Sequence, residues 1–468
     1  MSIDLTVPRR IHLVGIAGTG MSVIAILLLG MGHTVTGSDI AEGTVVERLR
    51  SLGATVRIGH DPAAVDDVDV VTYSSAVPTD NVELVAAAQR GRLVLTRGQL
   101  LGAVCATRRT LAVSGTHGKT TTTSMIWSIL REAGWHPSCV VGGDLHGVGH
   151  GAVWDPEGEW LVVEADESDG MFLELPTEGV VVTNVESDHL EYYGGLQPLR
   201  EAFARFLGAA TAVRVTSADD AGAGLVAGML GQPGAGGPAV TTFGAAPGAD
   251  VRLSDIVLHR NGSSAAVVVD GTPVGTIRLA VPGRHNLANA NAALALTLRE
   301  GVPFAAAATA LADFREVARR FQWRGEQDGV SYVDDYGHLP SEVKAVIATA
   351  RTGGWDRIVA VFQPHRYSRT AGLHAEFADA FVDADVLVLT GIYPAGEAPR
   401  PGVTGRLILD DVRAAHPDQD VRYVEHRADL AAAVGAILRP GDLCLTLGAG
   451  DVTALADELQ GASAGGAS

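Results

Sequence analysis

Residues 111–122 read Leu-Ala-Val-Ser-Gly-Thr-His-Gly-Lys-Thr-Thr-Thr. An apolar run ends at Gly115, a tight turn follows, and Lys119 and Thr120 open a helix-compatible segment. No other feature constrains the fold as much. A strand, a glycine turn and a helix in immediate succession build a parallel α/β layer whose ligands sit beyond the strand's carboxyl end. Backbone N–H groups of such a turn, with the helix N-terminus, form a nest for phosphate oxygens. The lysine reaches the outer phosphates and the hydroxyl of the next residue reaches a divalent cation. Gly115, Thr116, His117, Gly118, Lys119, Thr120 and Thr121 are therefore the candidates for nucleotide phosphates. Their spacing is Gly-x-x-Gly-Lys-Thr, shorter than the general phosphate loop.

The same rhythm runs on both sides of this loop. Ile11–Val14 reads as a strand, Met21–Met31 as an apolar helix, and His33–Gly37 and Val68–Thr72 as further strands. Strands alternating with helices predict a parallel, Rossmann-like sheet. Cys105–Arg109 reads as a hinge, and the second α/β unit takes in strands Trp160–Glu164 and Gly179–Thr183. Residues 217–249, rich in Gly, Ala and Asp, read as surface loop around short elements. Val251–Val281 reads as antiparallel, turning at Asn261-Gly262 and Asp270-Gly271. A helix over Asn286–Gly301 follows. A third unit starts near Val317, with strands at Val330–Asp334, Arg357–Phe362, Val386–Thr390 and Leu443–Leu447. The tail Gly461–Ser468 is expected to be disordered. The prediction is an α/β protein of three domains, 1–107, 108–316 and 317–468.

Polar residues collect where these strands end. Gly15, Gly18 and Gly20 form a Gly-x-x-Gly-x-Gly turn, which is not the order of dinucleotide binders. It suits a nucleotide phosphate, close helix–strand packing or a plain turn. Asp39 ends the next strand, where it meets a ribose or base, or simply water. Glu164-Ala165-Asp166-Glu167-Ser168-Asp169 crowds four carboxylates at one strand end, a costly arrangement unless a cation is near. Hard Mg²⁺ takes such oxygen ligands. His189 follows another apolar strand, as a metal or phosphate ligand or as a structural residue. Arg366 and Arg369, three apart, can clamp carboxylates or phosphates.

Charge and cysteine usage narrow the partners. With 54 acidic against 35 basic side chains the net charge is −19, with no basic block, which argues against nucleic acid and anionic membrane. An anionic substrate must then be met by locally placed cations and helix ends. The three cysteines show no metal spacing and read as buried apolar residues. Arg9, Arg10 and the apolar Val23–Leu29 outline a targeting segment, but three glycines interrupt it, so strand–turn–helix is the expectation.

Taken together the chain resembles the Mur ligases over nearly its whole length. The resemblance rests on Gly115–Thr122, Glu164–Asp169, Thr183–His189, Pro282–Asn291, Asp334–Glu342, Gln363–Thr370, Tyr393–Pro399 and Gly448–Asp451. Ser74-Ser75-Ala76-Val77-Pro78 and the Gly15–Gly20 turn are similar to that family's uridine-nucleotide domain. The resemblance implies a Rossmann-like N-terminal domain for a UDP-linked substrate, a central P-loop ATPase-like domain, and a Rossmann-like C-terminal domain that closes over the site. It implies ATP-driven amide formation through an acyl phosphate, with UDP-N-acetylmuramate and L-alanine as the joined partners and Mg²⁺ as cofactor.

Carried over by position, Gly15, Gly18, Gly20, Asp39, Ser74 and Ser75 would bind the sugar nucleotide. Lys119 would bind the γ-phosphate, Thr120 and Glu164 would hold Mg²⁺, and His189 would sit at a second metal. Asn286 would contact adenine, Arg320 the phosphates and Asp335 the ribose. His338, Arg366 and Arg369 would face the incoming amine and the reacting carboxylate. The resemblance further implies a cytoplasmic enzyme, monomer or homodimer. Three positions depart from the family's pattern: Leu339 replaces a second His, Val23 a Gly, and Met171 a small residue. Leu339 bears on amino-acid selectivity. Two other readings stand beside this one: a murein-peptide recycling ligase that takes a tripeptide, and a nucleotide-binding regulator without catalysis.

Overall fold

The computed structural model describes residues 3–465 apart from 75, 146, 231–236 and 316–318. Ser75, the start of the third unit near Val317 and the 316/317 boundary therefore lie outside the described residues. Three sheets are built, and the chain divides into two compact units: residues 1–256, 265–278 and 288–314, and residues 257–264, 279–287 and 315–468.

The first sheet is wholly parallel, in the order Thr55–Ile58, Thr34–Asp39, Arg10–Val14, Val70–Tyr73, Leu93–Thr96. Its strands are short and apolar, and the helix Thr19–Gly30 buries Met21, Ile24, Leu27 and Leu28 against it. The topology reverses between Thr34–Asp39 and Val70–Tyr73, on either side of Arg10–Val14. That switch point is where an open α/β sheet leaves a crevice for ligand.

In the central sheet, Arg109–Ser114 lies between Gly179–Val182 and Trp160–Glu164, all parallel. The loop and the acidic turn thus leave neighbouring strands at the same end. The expected hinge is compressed: the helix Arg97–Cys105 runs almost into the strand, and Thr110 Oγ1 donates to Cys105 O at 3.0 Å. The short elements expected within residues 217–249 are present on both sides of 231–236, which lie outside the described residues. They are the helix Ala221–Gly228 and the strand Val240–Gly244, which pairs in parallel with Val213–Ser217 and buries Phe243. The turn at 270–271 falls where expected, and Asp270 (φ 49°) and Gly271 (φ 77°) both take the left-handed conformation such hairpins require; the other turn lies one residue earlier than expected, at 260–261, and Gly262 opens the next strand.

The third sheet runs Gln322–Gln327, Val330–Asp335, Asp442–Leu447, Arg357–Phe362, Val386–Thr390, Asp420–Val424. Only the first pairing is antiparallel. Phe362, Phe377 and Phe381 form one side of its core. Residues 461–465, expected to be disordered, continue the helix Leu455–Gly465, which buries Leu455, Ala456 and Leu459, while 466–468 lie outside the described residues. All three cysteines are buried and unpaired. Among the described residues no helix is long and apolar enough to cross a membrane.

Candidate active site

The phosphate loop is held open from below. Gly115 (φ 135°) and Gly118 (φ 78°) take left-handed backbone that other residues rarely adopt. A Cβ on Gly115 would overlap Thr183 Oγ1 and lie 2.9 Å from Asn184 O; one on Gly118 would overlap Asn289 Oδ1. The next strand end supplies further props. Asn184 Oδ1 accepts from His117 N at 2.8 Å, Thr183 Oγ1 donates to His117 O at 2.6 Å, and Thr116 Oγ1 accepts from Glu186 N at 2.9 Å. His117 Nε2 lies 3.1 Å from Glu186 Oε2.

Lys119 is tethered inside this frame. Its Nζ donates to Gly115 O at 2.7 Å, Thr116 O at 3.3 Å and Glu167 Oε1 at 2.9 Å. Burial alone would lower its pKa, but the carboxylates of Glu167, Asp166 and Glu164 outweigh that and raise it to about 12. Lys119 is charged at neutral pH. Glu167 is buried, its second oxygen 3.4 Å from Ser114 Oγ, and Tyr193 OH donates to its carbonyl. One helical position on, Thr120 Oγ1 donates to Glu164 Oε1 at 3.0 Å, while Glu164 Oε2 accepts from Gly142 N at 2.6 Å. A hydroxyl and a carboxylate touching beside the loop form the hard oxygen set that suits Mg²⁺.

His189 follows the strand Gly179–Val182. It caps a short helix at φ 53°, and its Nε2 lies 3.4 Å from Asp188 Oδ2. Among the described residues no three His, Cys, Asp or Glu side chains come together as a metal cage.

The first sheet's turn is equally well formed. Gly15 N and Ile16 N donate to Ser38 O at 2.9 and 3.1 Å, and Ala17 N donates to Asp39 Oδ2 at 2.8 Å. Asp39 therefore shapes the turn through its backbone rather than standing only in water. Gly18 approaches Gly15 O, and Ser74 packs against Gly15. Beneath lies a network that sequence reading missed. Glu83 is fully buried, accepting from Ser38 Oγ at 2.5 Å and Asp61 N at 3.0 Å, with His60 Nδ1 at 3.2 Å and His12 Nε2 at 3.5 Å. Its only local sign was an Asn81 cap ahead of a short helix.

The second unit gathers the remaining candidates. Asn286 is buried near the start of the helix Arg284–Arg299, its amide donating to Pro282 O at 2.7 Å. Next to it, burial and Arg320 lower the pKa of His285 to about 4. Arg320 lies 3.7 Å from Glu342 and 5.2 Å over the Tyr336 ring. Arg319, beside it in sequence, does different work: it bonds the buried Asp334 and the carbonyls of Gly448 and Gly450. Asp335 is buried, with its oxygens taking Phe321 N at 2.6 Å and Gly337 N at 2.7 Å. It thus braces the loop, and the structure does not bring it to an open surface for a ribose.

His338, His365, Arg366 and Arg369 lie together. His338 stacks edge-on with Tyr336 and His365, and His365 lies flat on Tyr393 at 5.9 Å. Burial first, then His338 and the two arginines, push His365 down to about 3, so it is a neutral acceptor for Arg369 Nη1 at 2.9 Å. Arg366 takes φ 67° at the head of the helix Tyr367–Leu373. Leu339 is buried, and its N–H and that of His338 both donate to Glu342 Oε2.

Comparison with known proteins follows the same divisions. Residues 10–109 match the Mur ligase family catalytic domain, 113–297 the Mur ligase middle domain, and 319–450 the Mur ligase glutamate ligase domain. The chain is 45% identical to a UDP-N-acetylmuramate–L-alanine ligase of Solidesulfovibrio magneticus over 95% of its length and 96% of that protein's. It is 42% identical to the ligase of that name from Geobacter sulfurreducens, over 95% of each. The crystal structure of a UDP-N-acetylmuramate–alanine ligase from Thermotoga maritima superposes with a TM-score of 0.80 at 30% identity, covering 98% of this chain and all of that one. On the domain order, the coverage and the loop geometry together, this chain belongs to the Mur ligase family of ATP-dependent ligases.

Proposed function

We propose that the protein joins L-alanine to the lactoyl carboxylate of UDP-N-acetylmuramate with cleavage of ATP, in the cytoplasm, as a step of peptidoglycan precursor synthesis. The observation that carries this reading is Lys119, held charged at the mouth of the loop by two carbonyls and Glu167. Relatives more than 40% identical along nearly the whole chain support the choice of reactants.

In this reading Gly115–Thr121 cradle the nucleotide phosphates and Lys119 meets the charge that develops at the γ-phosphate. Thr120 and Glu164 hold Mg²⁺, which when bound neutralises phosphate charge. Asn286 contacts adenine. Arg320 faces the phosphates, and Asp335 keeps the ribose-side loop in shape. His338, Arg366 and Arg369 face the amine and the carboxylate. His189 would sit at a second metal. The Gly15–Gly20 turn, Asp39, Ser74 and Ser75 take the sugar nucleotide. An acyl phosphate hydrolyses readily, so the reaction needs a site from which water is excluded. We expect a monomer or homodimer.

Release of ADP and phosphate should depend on UDP-N-acetylmuramate and L-alanine together, with Mg²⁺ present. Turnover with a tripeptide in place of L-alanine would assign the protein to peptide recycling. ADP release with neither acceptor nor amine needed would sink the ligase reading.

A further inference from the structure

The Gly15–Gly20 turn, Gly-Ile-Ala-Gly-Thr-Gly, contains no cation, and the acid Asp39 is bonded into it. In a chain of net charge −19 a doubly charged diphosphate needs a positive partner there. One arrives from a different strand end. Leu93–Thr96 finishes at Thr96, which caps the helix Arg97–Cys105 in a reciprocal box with Gln99 and so fixes where Arg97 leaves the backbone. Its guanidinium lies on Gly20: a Cβ at that position would overlap Arg97 Nη1 and sit 3.1 Å from Cζ. Arg97 Nη2 donates to Asp169 Oδ2 at 3.0 Å, and Asp169 is itself fixed by accepting from Met171 N at 3.2 Å. Asp169 is its hydrogen-bond partner among the described residues, so the fork keeps free donors, and the side chain is 23% exposed.

We propose that Arg97 grips the diphosphate of the sugar nucleotide, aimed by Asp169, and that position 20 is glycine because a side chain there would push the guanidinium off the turn. The assignment rests on the reading of the first sheet as the uridine-nucleotide site. It makes Arg97 a specificity residue for a uridine diphosphate over a bare nucleoside. Asp169, last acid of the turn that begins at Glu164, becomes a positioning residue that ties this grip to the ATP side.

Titration calorimetry of the full chain with uridine, UDP, UDP-N-acetylmuramate and ATP tests this. Arg97→Ala should weaken UDP and UDP-N-acetylmuramate by about 10- to 100-fold, the range for a charged hydrogen-bonding partner, and leave uridine and ATP within about twofold. Arg97→Lys should fall between, since it keeps the charge and loses the fork. Gly20→Ala should lose affinity in the same direction with its helix intact, because alanine is the better helix former and only the guanidinium is displaced. UDP binding to Arg97→Ala as to the wild type, or an equal loss of uridine and UDP, would make Arg97 a structural pin and overturn the proposal. Wild-type protein that binds no uridine ligand at all would overturn the substrate reading as well.

Discussion

Lys119 is tied to two loop carbonyls and to the buried Glu167, and this changes what its removal does. Lys119→Ala should lower kcat by about 10²–10³, as for loss of one donor at developing charge. It also leaves Glu167 buried without its partner, so thermal stability should fall too, by about 3–5 kcal/mol. The double variant Lys119→Ala/Glu167→Gln should recover much of the stability and none of the rate; full recovery of rate would remove Lys119 from the chemistry. Glu164 and Glu167, three residues apart, should then separate cleanly. Glu164→Ala shifts the Mg²⁺ dependence of the rate, whereas Glu167→Ala acts through Lys119 and leaves that dependence closer to wild type. Coincident Mg²⁺ curves would contradict the assignment. Leu339 is buried beside Glu342, so its first role is packing. If it also sets selectivity, Leu339→His changes the preference among L-alanine, glycine and L-serine; an unchanged order assigns it to packing alone. At this scale the sequence was most legible where glycine, lysine and threonine share one loop. It hid the pairings made across the fold, such as Glu167 with Lys119, Asp169 with Arg97 and Arg319 with Asp334, because spacing along the chain carries no record of what lies opposite.

The first sheet's turn depends on a buried carboxylate one layer down. Glu83 would be pushed up by burial, but the neighbouring His12 imidazole and hydrogen bonds from Ser38 and the Asp61 N–H outweigh this and lower it to about 2. A carboxyl with a depressed folded pKa contributes stability that is complete above its unfolded value, near 4.5, and is lost as pH falls toward 2. That contribution is about 3 kcal/mol. His12 and His60 are the titratable groups facing it. Acid unfolding followed by circular dichroism should therefore lose a step between these values in Glu83→Gln; an identical acid profile would show that Glu83 carries no such linkage. Strands that are apolar and central, such as Arg357–Phe362, were readable because β-branched and aromatic runs between turns have few other fates. Gln322–Gln327 was not readable: it is a polar edge strand paired on one side only. Val240–Gly244 was masked by the glycine-rich stretch before it, and the helix Leu455–Gly465 by small residues that mimic a loose tail.

Across the whole molecule, two compact units carry separate cores. Phe362→Ala removes the ring that touches Phe377 and Phe381 at 5.1 and 5.3 Å, and should cost about 3–5 kcal/mol. Scanning calorimetry should place that loss in one transition and leave the other in position; an equal shift of both would mean that the units unfold as one. Domain order and chemistry could be read from sequence because each strand end carries its own polar motif. How stability is distributed over the units could not, since it depends on which apolar side chains pack together within each. The three cysteines offer a second view of the same question. Cys105 and Cys139 belong to one unit and Cys444 to the other, and burial raises all three thiols, to about 12 for Cys105 and Cys444. A thiol that is neither ionised nor reachable cannot attack a labelling reagent until its surroundings open. The enzyme thus carries its own clocks. The rate at which each cysteine is labelled counts the openings of its unit, and in Phe362→Ala the clock at Cys444 should run fast while those at Cys105 and Cys139 keep wild-type time.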